Sequence, residues 1–240
     1  MIQLLANPQR FMDFSRWAAP ILGAAAAILL AAAFWLGFSV PEDYQQGDTV
    51  RLLFLHPQLA TVGMFAYACL AGSAFFGLVF RHSLADAAAR AAAPIGAGFT
   101  FLALLTGSLW GRPMWGDWWV WDGRLTSYLI LFLVYLAYMA LLAAIDDEAK
   151  AARASNILAL VGVINLPIIK FSVDWWNTLH QTASISLTGE SGLAPVYLAP
   201  FFLSMIGLLM LFGSLWMVRT RAEVWRRKAG ALAVQLAGKA

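Results

Sequence analysis

Six apolar stretches dominate the chain, at 17–38, 59–80, 91–109, 125–145, 157–173 and 196–218. Each has the length, about 17 to 25 residues, that carries a helix across the roughly 30 Å hydrocarbon core of a bilayer. Backbone amides in lipid must be satisfied within a helix or by closing a barrel. These stretches lack the alternation of barrel strands, so they read as α-helices. Apolar residues make up 61% of the sequence and charged ones only 12%, against about 25% charged in a soluble domain. The expected fold is an all-α integral membrane protein, a six-transmembrane-helix bundle. No linker is long enough to hold a second domain, so 1–240 is expected to form one six-helix membrane domain.

The opening "MIQLLANPQRFMDFSRW" is basic and leads into an apolar run too long for a cleavable signal peptide, so it reads as an uncleaved signal anchor. Cys69, the only cysteine, falls inside the second stretch. An internal disulfide or cysteine metal cage is excluded, and a packing role is expected. With the N-terminus inside, the inner segments hold Arg10, Arg16, Arg81, Arg90, Lys150, Arg153, Arg219, Arg221, Arg226, Arg227, Lys228 and Lys239, and the outer side keeps Arg51, Arg112, Arg124 and Lys170. This positive-inside bias places both termini in the cytoplasm. It also accounts for the pI near 9.2 without any nucleic-acid partner.

That topology gathers everything unusual on one face. The first outer loop, "SVPEDYQQGDTVRLLFLHPQLA", carries His56 at the mouth of span two. The second, "WGRPMWGDWWVWDGRLTS", places five tryptophans among Arg112, Asp117, Asp122 and Arg124. The third, "KFSVDWWNTLHQTASISLTGESGLAP", contains Trp175, Trp176 and His180. The remaining histidine, His82, reads as a solvated inner-loop residue beside Arg81. Trp17, Trp35, Trp216, Trp110 and Trp175 stand near span ends, where aromatic belts form.

Trp115, Trp118, Trp119 and Trp121 exceed what an anchor needs. If their loop is helical, Trp115, Trp118, Trp119 and Asp122 form one stripe at i, i+3, i+4, i+7, ended by Gly123 as a C-cap. Such a stripe presents indoles to something flat and apolar. Imidazole is the commonest protein ligand to haem iron, and guanidinium is shaped for bidentate carboxylate binding. A flat apolar ligand with a central metal and two peripheral carboxylates would use all of these groups, and haem is that ligand. Pairing of Arg112 and Arg124 with Asp117 and Asp122 is the plainer alternative for the arginines.

The tryptophan-rich stretch resembles the WWD signature of the haem-handling protein family, most closely its small haem exporter C branch in system I cytochrome c maturation; the larger relatives have many more spans. The resemblance covers the whole chain. It implies haem b held at the outer face of the bacterial inner membrane, with His56 and His180 as axial iron ligands and Trp115, Trp118, Trp119, Trp121 and Asp122 along the ring. It further implies delivery to a membrane-anchored periplasmic haem chaperone, whose histidine becomes attached to a haem vinyl group. The implied complex includes an ABC transporter's ATPase and membrane subunits and a small single-span membrane protein. Arg112 and Arg124 as propionate partners are a physical inference beside it.

The residues fit such a division of labour. No G-x-x-x-x-G-K-[ST] phosphate loop is present, so ATP hydrolysis of that kind belongs to a partner. No acid, base or nucleophile stands out for an enzymatic step. Buried ionisable residues do not mark an ion path. Lys170 and Asp174, spaced i, i+4, are expected to pair at the interface, and Pro167 to kink span five. The alternatives are a membrane cytochrome-type redox subunit and a haem permease.

Overall fold

The computed structural model describes residues 7–180 and 192–238. Lys239, the first six residues and positions 181–191 of the third loop lie outside the described residues. Among the described residues the regular structure is helical, joined by irregular connections and carrying one isolated bridge, Asp43 to Gly47. Helix α1 (Pro8–Ser39) is followed by a 3-10 segment (Asp48–Phe54), α2 (His56–Phe80), α3 (Ser83–Trp115), α4 (Gly123–Ala144), α5 (Glu148–Gly162), α6 (Asn165–Trp175) and α7 (Pro195–Ala237). Six segments are long and apolar enough to cross a membrane, the second formed by the 3-10 segment with α2 and the fifth by α5 with α6. All six apolar stretches fall on them, the fourth overrunning α4 by Ile145 alone, and α3 reaches from Ser83 through the start of the tryptophan-rich segment.

Span five breaks between α5 and α6 at Val163 and Ile164, ahead of Pro167. A proline ring clashes with the carbonyl four residues back, here that of Val163. The amides of Val163 and Ile164 turn to the carbonyls of Leu160 and Val161, each at 3.3 Å. This re-aims α6 beside α4.

Helix α1 packs chiefly on α7, and α2 on α3, with α7 also against α3 and the α5–α6 span against α4. The core holds tyrosines whose hydroxyls donate to backbone carbonyls of neighbouring helices: Tyr67 to Ala159 (3.0 Å), Tyr128 to Ala60 (3.0 Å) and Tyr135 to Gly63 (2.9 Å). Interhelical bonds of this kind hold helices where the hydrophobic effect cannot. Glycine makes room for the rings. A Cβ on Gly96 would lie 2.1 Å from the Tyr135 hydroxyl oxygen, and one on Gly162 1.9 Å from that of Tyr67. Gly96→Ala is therefore expected to displace a fully buried tyrosine and lower stability by about 1–3 kcal/mol. A depressed thermal midpoint in detergent would register it; an unchanged midpoint would contradict this packing.

The opposite end is tied by ion pairs that the sequence reading left as scattered basic residues. Arg227 meets Asp86 at 2.6 Å and Glu223 at 2.9 Å, and Arg226 meets Glu148 at 2.7 Å. These pairs join α3, α5 and α7 at one end of the bundle. One expectation is refined here and one fails. His82 stands in the two-residue connection beside Arg81, partly buried, and its Nδ1 accepts the Ala85 amide as the N-cap of α3 (3.1 Å). Trp216 is not a belt residue, because its indole donates to the Ala88 carbonyl at 2.8 Å and its ring stacks on Phe212. Trp17 and Trp35 are 64% and 76% exposed, as a belt requires. Cys69 is a half-buried free thiol packed against the core.

Candidate functional site

His56 opens α2, with Pro57 in the first turn, where a missing amide N–H leaves no bond unmade. Its Nδ1 lies 3.1 Å from the Ala103 carbonyl and 3.2 Å from the Thr106 hydroxyl on α3. A carbonyl only accepts, so the proton sits on Nδ1 and Nε2 carries a lone pair. Helix α3 comes this close because Gly107 has no side chain; a Cβ there would lie 2.8 Å from His56 Cε1. Trp110 packs edge-on against the imidazole at 5.8 Å, and its indole N–H donates to Gln46 Oε1 at 3.1 Å.

His180 stands five residues beyond Trp175, the last residue of α6. Its Nδ1–H donates to Asp122 Oδ2 at 3.3 Å, and its ring lies 4.8 Å from that of Trp115. Asp122 is held from several sides. Its Oδ1 accepts the Leu125 amide at 2.7 Å, capping α4, while Oδ2 also accepts the Thr178 hydroxyl. The residue is 9% exposed. Burial works to raise its carboxyl, but the hydrogen bonds from Thr178 and Leu125 and the neighbouring His180 outweigh it, so Asp122 titrates below the ordinary carboxylate range. Burial lowers His180; Asp122 opposes this, Arg124 adds to it, and the imidazole ends below its ordinary value. At neutral pH the pair is thus a carboxylate and a neutral imidazole whose Nε2 carries the lone pair. The two histidines lie within electrostatic reach of each other and of Arg124.

The tryptophan segment is not the helical stripe. Helix α3 ends at Trp115, and Gly116 caps it in the left-handed region (φ 86°), its amide bonding the Arg112 carbonyl at 3.1 Å. Glycine adopts that conformation without steric penalty. Residues 116–122 are irregular, and Gly123 begins α4 behind the Asp122 cap instead of ending a helix. The indoles consequently diverge. Trp115 turns to His180. Trp118, 56% exposed, lies beneath the Arg112 guanidinium at 5.9 Å. Trp119 meets Trp121 edge-on at 5.5 Å, and Trp121 is 75% exposed. The buried Trp119 indole N–H has no partner among the described residues.

Neither Arg112 nor Arg124 pairs with Asp117 or Asp122. Arg124 instead donates to the Ser172 hydroxyl and the Lys170 carbonyl, each at 3.4 Å. Lys170 and Asp174 do not form the expected ion pair; the Asp174 charge lies within electrostatic reach of Arg124. The structure thus brings together His56, His180, Asp122, Arg124 and Trp115. It leaves Arg112 with Trp118 at the exposed edge.

Sequence reasoning missed four contributors. Thr178 bonds Asp122, Gln46 holds Trp110, and Trp176 packs over Gly123, where a Cβ would lie 3.0 Å from its ring. Trp110 belongs beside His56 and not in a belt. A legible signal existed: Ala103, Thr106, Gly107 and Trp110 follow i, i+3, i+4, i+7 and form the stripe that receives His56.

Comparison with known proteins shows the family of the chain. The sequence model of the Heme exporter protein C family matches residues 1–235. Among relatives bearing that name, the one from Bradyrhizobium diazoefficiens is 53% identical over 235 residues, covering 98% of this chain and 89% of the relative. The one from Escherichia coli K12 is 46% identical over 218 residues, 90% of this chain and 88% of its own length. That of Paracoccus denitrificans is 44% identical over 229 residues, 95% of each.

Proposed function

Because the chain belongs to the haem exporter protein C family, a multi-pass membrane family tied to haem handling in cytochrome c maturation, we propose that it holds haem b at the outer, periplasmic face of the bacterial inner membrane and delivers it to a membrane-anchored periplasmic haem chaperone. One six-helix domain spanning 1–240 performs this task. His56 and His180 supply the axial nitrogens. Trp115, Trp118, Trp119 and Trp121 contact the ring and its edge, and Arg112 and Arg124 receive the propionates. Asp122 acts through His180. An ABC transporter's ATPase and membrane subunits, together with a small single-span protein, complete the complex, and lipid surrounds it.

The observation that carries this reading is the matched state of the two imidazoles. Each binds an oxygen acceptor through Nδ1, and no described residue bonds either Nε2. A ligating histidine characteristically donates its other ring N–H to such an acceptor. When bound, the haem supplies the iron and the vinyl group that the chaperone's histidine captures. The chain's own residues bind and orient the ring and leave its edge open beside exposed Trp121. A redox subunit is less well supported, since His56 stands at a helix end and His180 beyond one.

The test is transfer. Haem-loaded full-length protein in nanodiscs is mixed with the membrane-anchored chaperone, and the chaperone is then extracted in acid. Haem bound to it covalently is the expected result. Haem remaining on this protein would contradict delivery, and chaperone-borne haem that acid fully extracts would contradict covalent attachment.

A further inference from the structure

A second cavity adjoins the histidine site. It is a groove of about 670 Å³ between α4 and α6, within the range of small-molecule and cofactor sites. Its upper rim holds Trp121, Asp122 and Trp176, and its lower wall Ile130, Asn165 and Ile168. It reaches Asp122, the carboxylate that positions His180, without including either histidine.

Three features distinguish this groove from an ordinary crevice between helices. The first is its depth. Ile130 lies seven residues beyond Gly123 on α4, which at 1.5 Å per residue carries the groove about 10 Å down from the loop toward the bilayer interior. The second is the origin of the opening. The break at Val163 and Ile164 ends where Asn165 begins α6, so the displaced half-helix forms one wall. Irregular backbone at membrane depth is tolerated where it is buried in protein or lines a cavity. The third is the mixed lining. Thr126, Ser127 and Asn165 stand among the isoleucines and indoles, so the groove carries hydroxyl and amide groups as well as apolar surface. Asn165 Nδ2 donates to the Ser127 carbonyl at 2.8 Å and bridges the two helices at the groove floor.

We propose that this groove is the lateral port by which haem, edge-on, leaves the outer leaflet and reaches Asp122 and His180. The inference rests on the haem-holding role above and adds the route. A flat apolar ring with carboxylates at one edge suits a slot whose two walls each combine an isoleucine with hydroxyl or amide side chains. The exposed indoles of Trp121 and Trp176 stand at its upper rim, where a lipid-borne ring would first meet the site.

The experiment blocks the groove after folding. Thr126→Cys is made in a Cys69→Ser background, and the purified full chain is treated with a bulky maleimide in nanodiscs. Haemin is supplied from donor vesicles, and the growth of the Soret band is followed. The modified protein is expected to take up haem at least about tenfold more slowly than the same protein unmodified, while reaching the same final spectrum. Equal rates would overturn the route and leave the site reading intact. Native mass spectrometry that finds a phospholipid retained in both forms, with equal rates, would assign the groove to a structural lipid. Absence of any Soret band in the unmodified protein would instead contradict the haem-holding role itself.

Discussion

Replacing either His56 or His180 with alanine is expected to strip the protein of six-coordinate haem. The Soret band should weaken, and affinity should fall by more than the roughly 10- to 100-fold that follows loss of an outer-shell partner. The two residues fail for different structural reasons. His56 is clamped by α3: Ala103 and Thr106 hold its Nδ1, Gly107 admits its ring, and Trp110 backs it. His180 depends on the loop geometry around Asp122 and Trp115. The His56 variant should therefore keep the loop contacts and bind haem through one imidazole, and the double variant should bind no haem specifically. His82→Ala, at the other end of the bundle, should leave the spectrum unchanged. Unchanged spectra in both single variants would remove the ligand assignment.

Asp122 carries the second large effect, because it serves two structures at once. Asp122→Ala removes the α4 cap, a loss of about 0.5–2 kcal/mol, and also frees the His180 ring, for which a roughly 10- to 100-fold loss of haem affinity is expected. Asp122→Asn separates these roles. An amide oxygen can still accept the Leu125 N–H, so stability should return, but His180 loses its anionic acceptor. The pH dependence gives a sharper signature. A proton competes with iron for Nε2, and burial holds His180 below its ordinary value. Haem retention by the parent protein should therefore persist as pH falls past about 6.5, the unperturbed histidine value, and fail only as the lowered value is crossed. Asp122 is the group that opposes this lowering. Its neutralisation should lower the His180 titration further even as haem affinity at neutral pH drops. A histidine NMR titration of the two haem-free proteins reads the first effect and a Soret titration with haem the second, and a His180 that titrates higher in Asp122→Asn would contradict the electrostatic role.

The transmembrane architecture was legible because lipid imposes a length and a composition that the sequence must meet in every span. Pro167 likewise announced the break, since its ring acts on a carbonyl at a fixed offset. The tryptophan segment was legible in content but not in shape. Its i, i+3, i+4 spacing suits a helix, yet Gly116 terminates α3 and Asp122 caps α4, and these two local preferences defeat the periodicity between them. Trp110 shows the reverse case. Near a span end it resembles a belt residue, and only the arrival of Gln46 and His56, far away in sequence, gives it a different role. His82 was placed in its short connection, but its capping of α3 was missed because that role is more often filled by Ser, Thr, Asp or Asn. The ion pairs of Asp86, Glu148 and Glu223 join distant helices, and nothing in the local sequence specifies such partners.

The central claim is that one haem iron is held between the Nε2 atoms of His56 and His180. A structure of the haem-loaded full-length protein, at a resolution that separates the imidazole nitrogens, tests it most directly. The account predicts iron bonded to both Nε2 atoms, with each Nδ1–H still directed at its oxygen acceptor, Ala103 or Asp122. Iron bound through Nδ1, or held by any other pair of side chains, would contradict it.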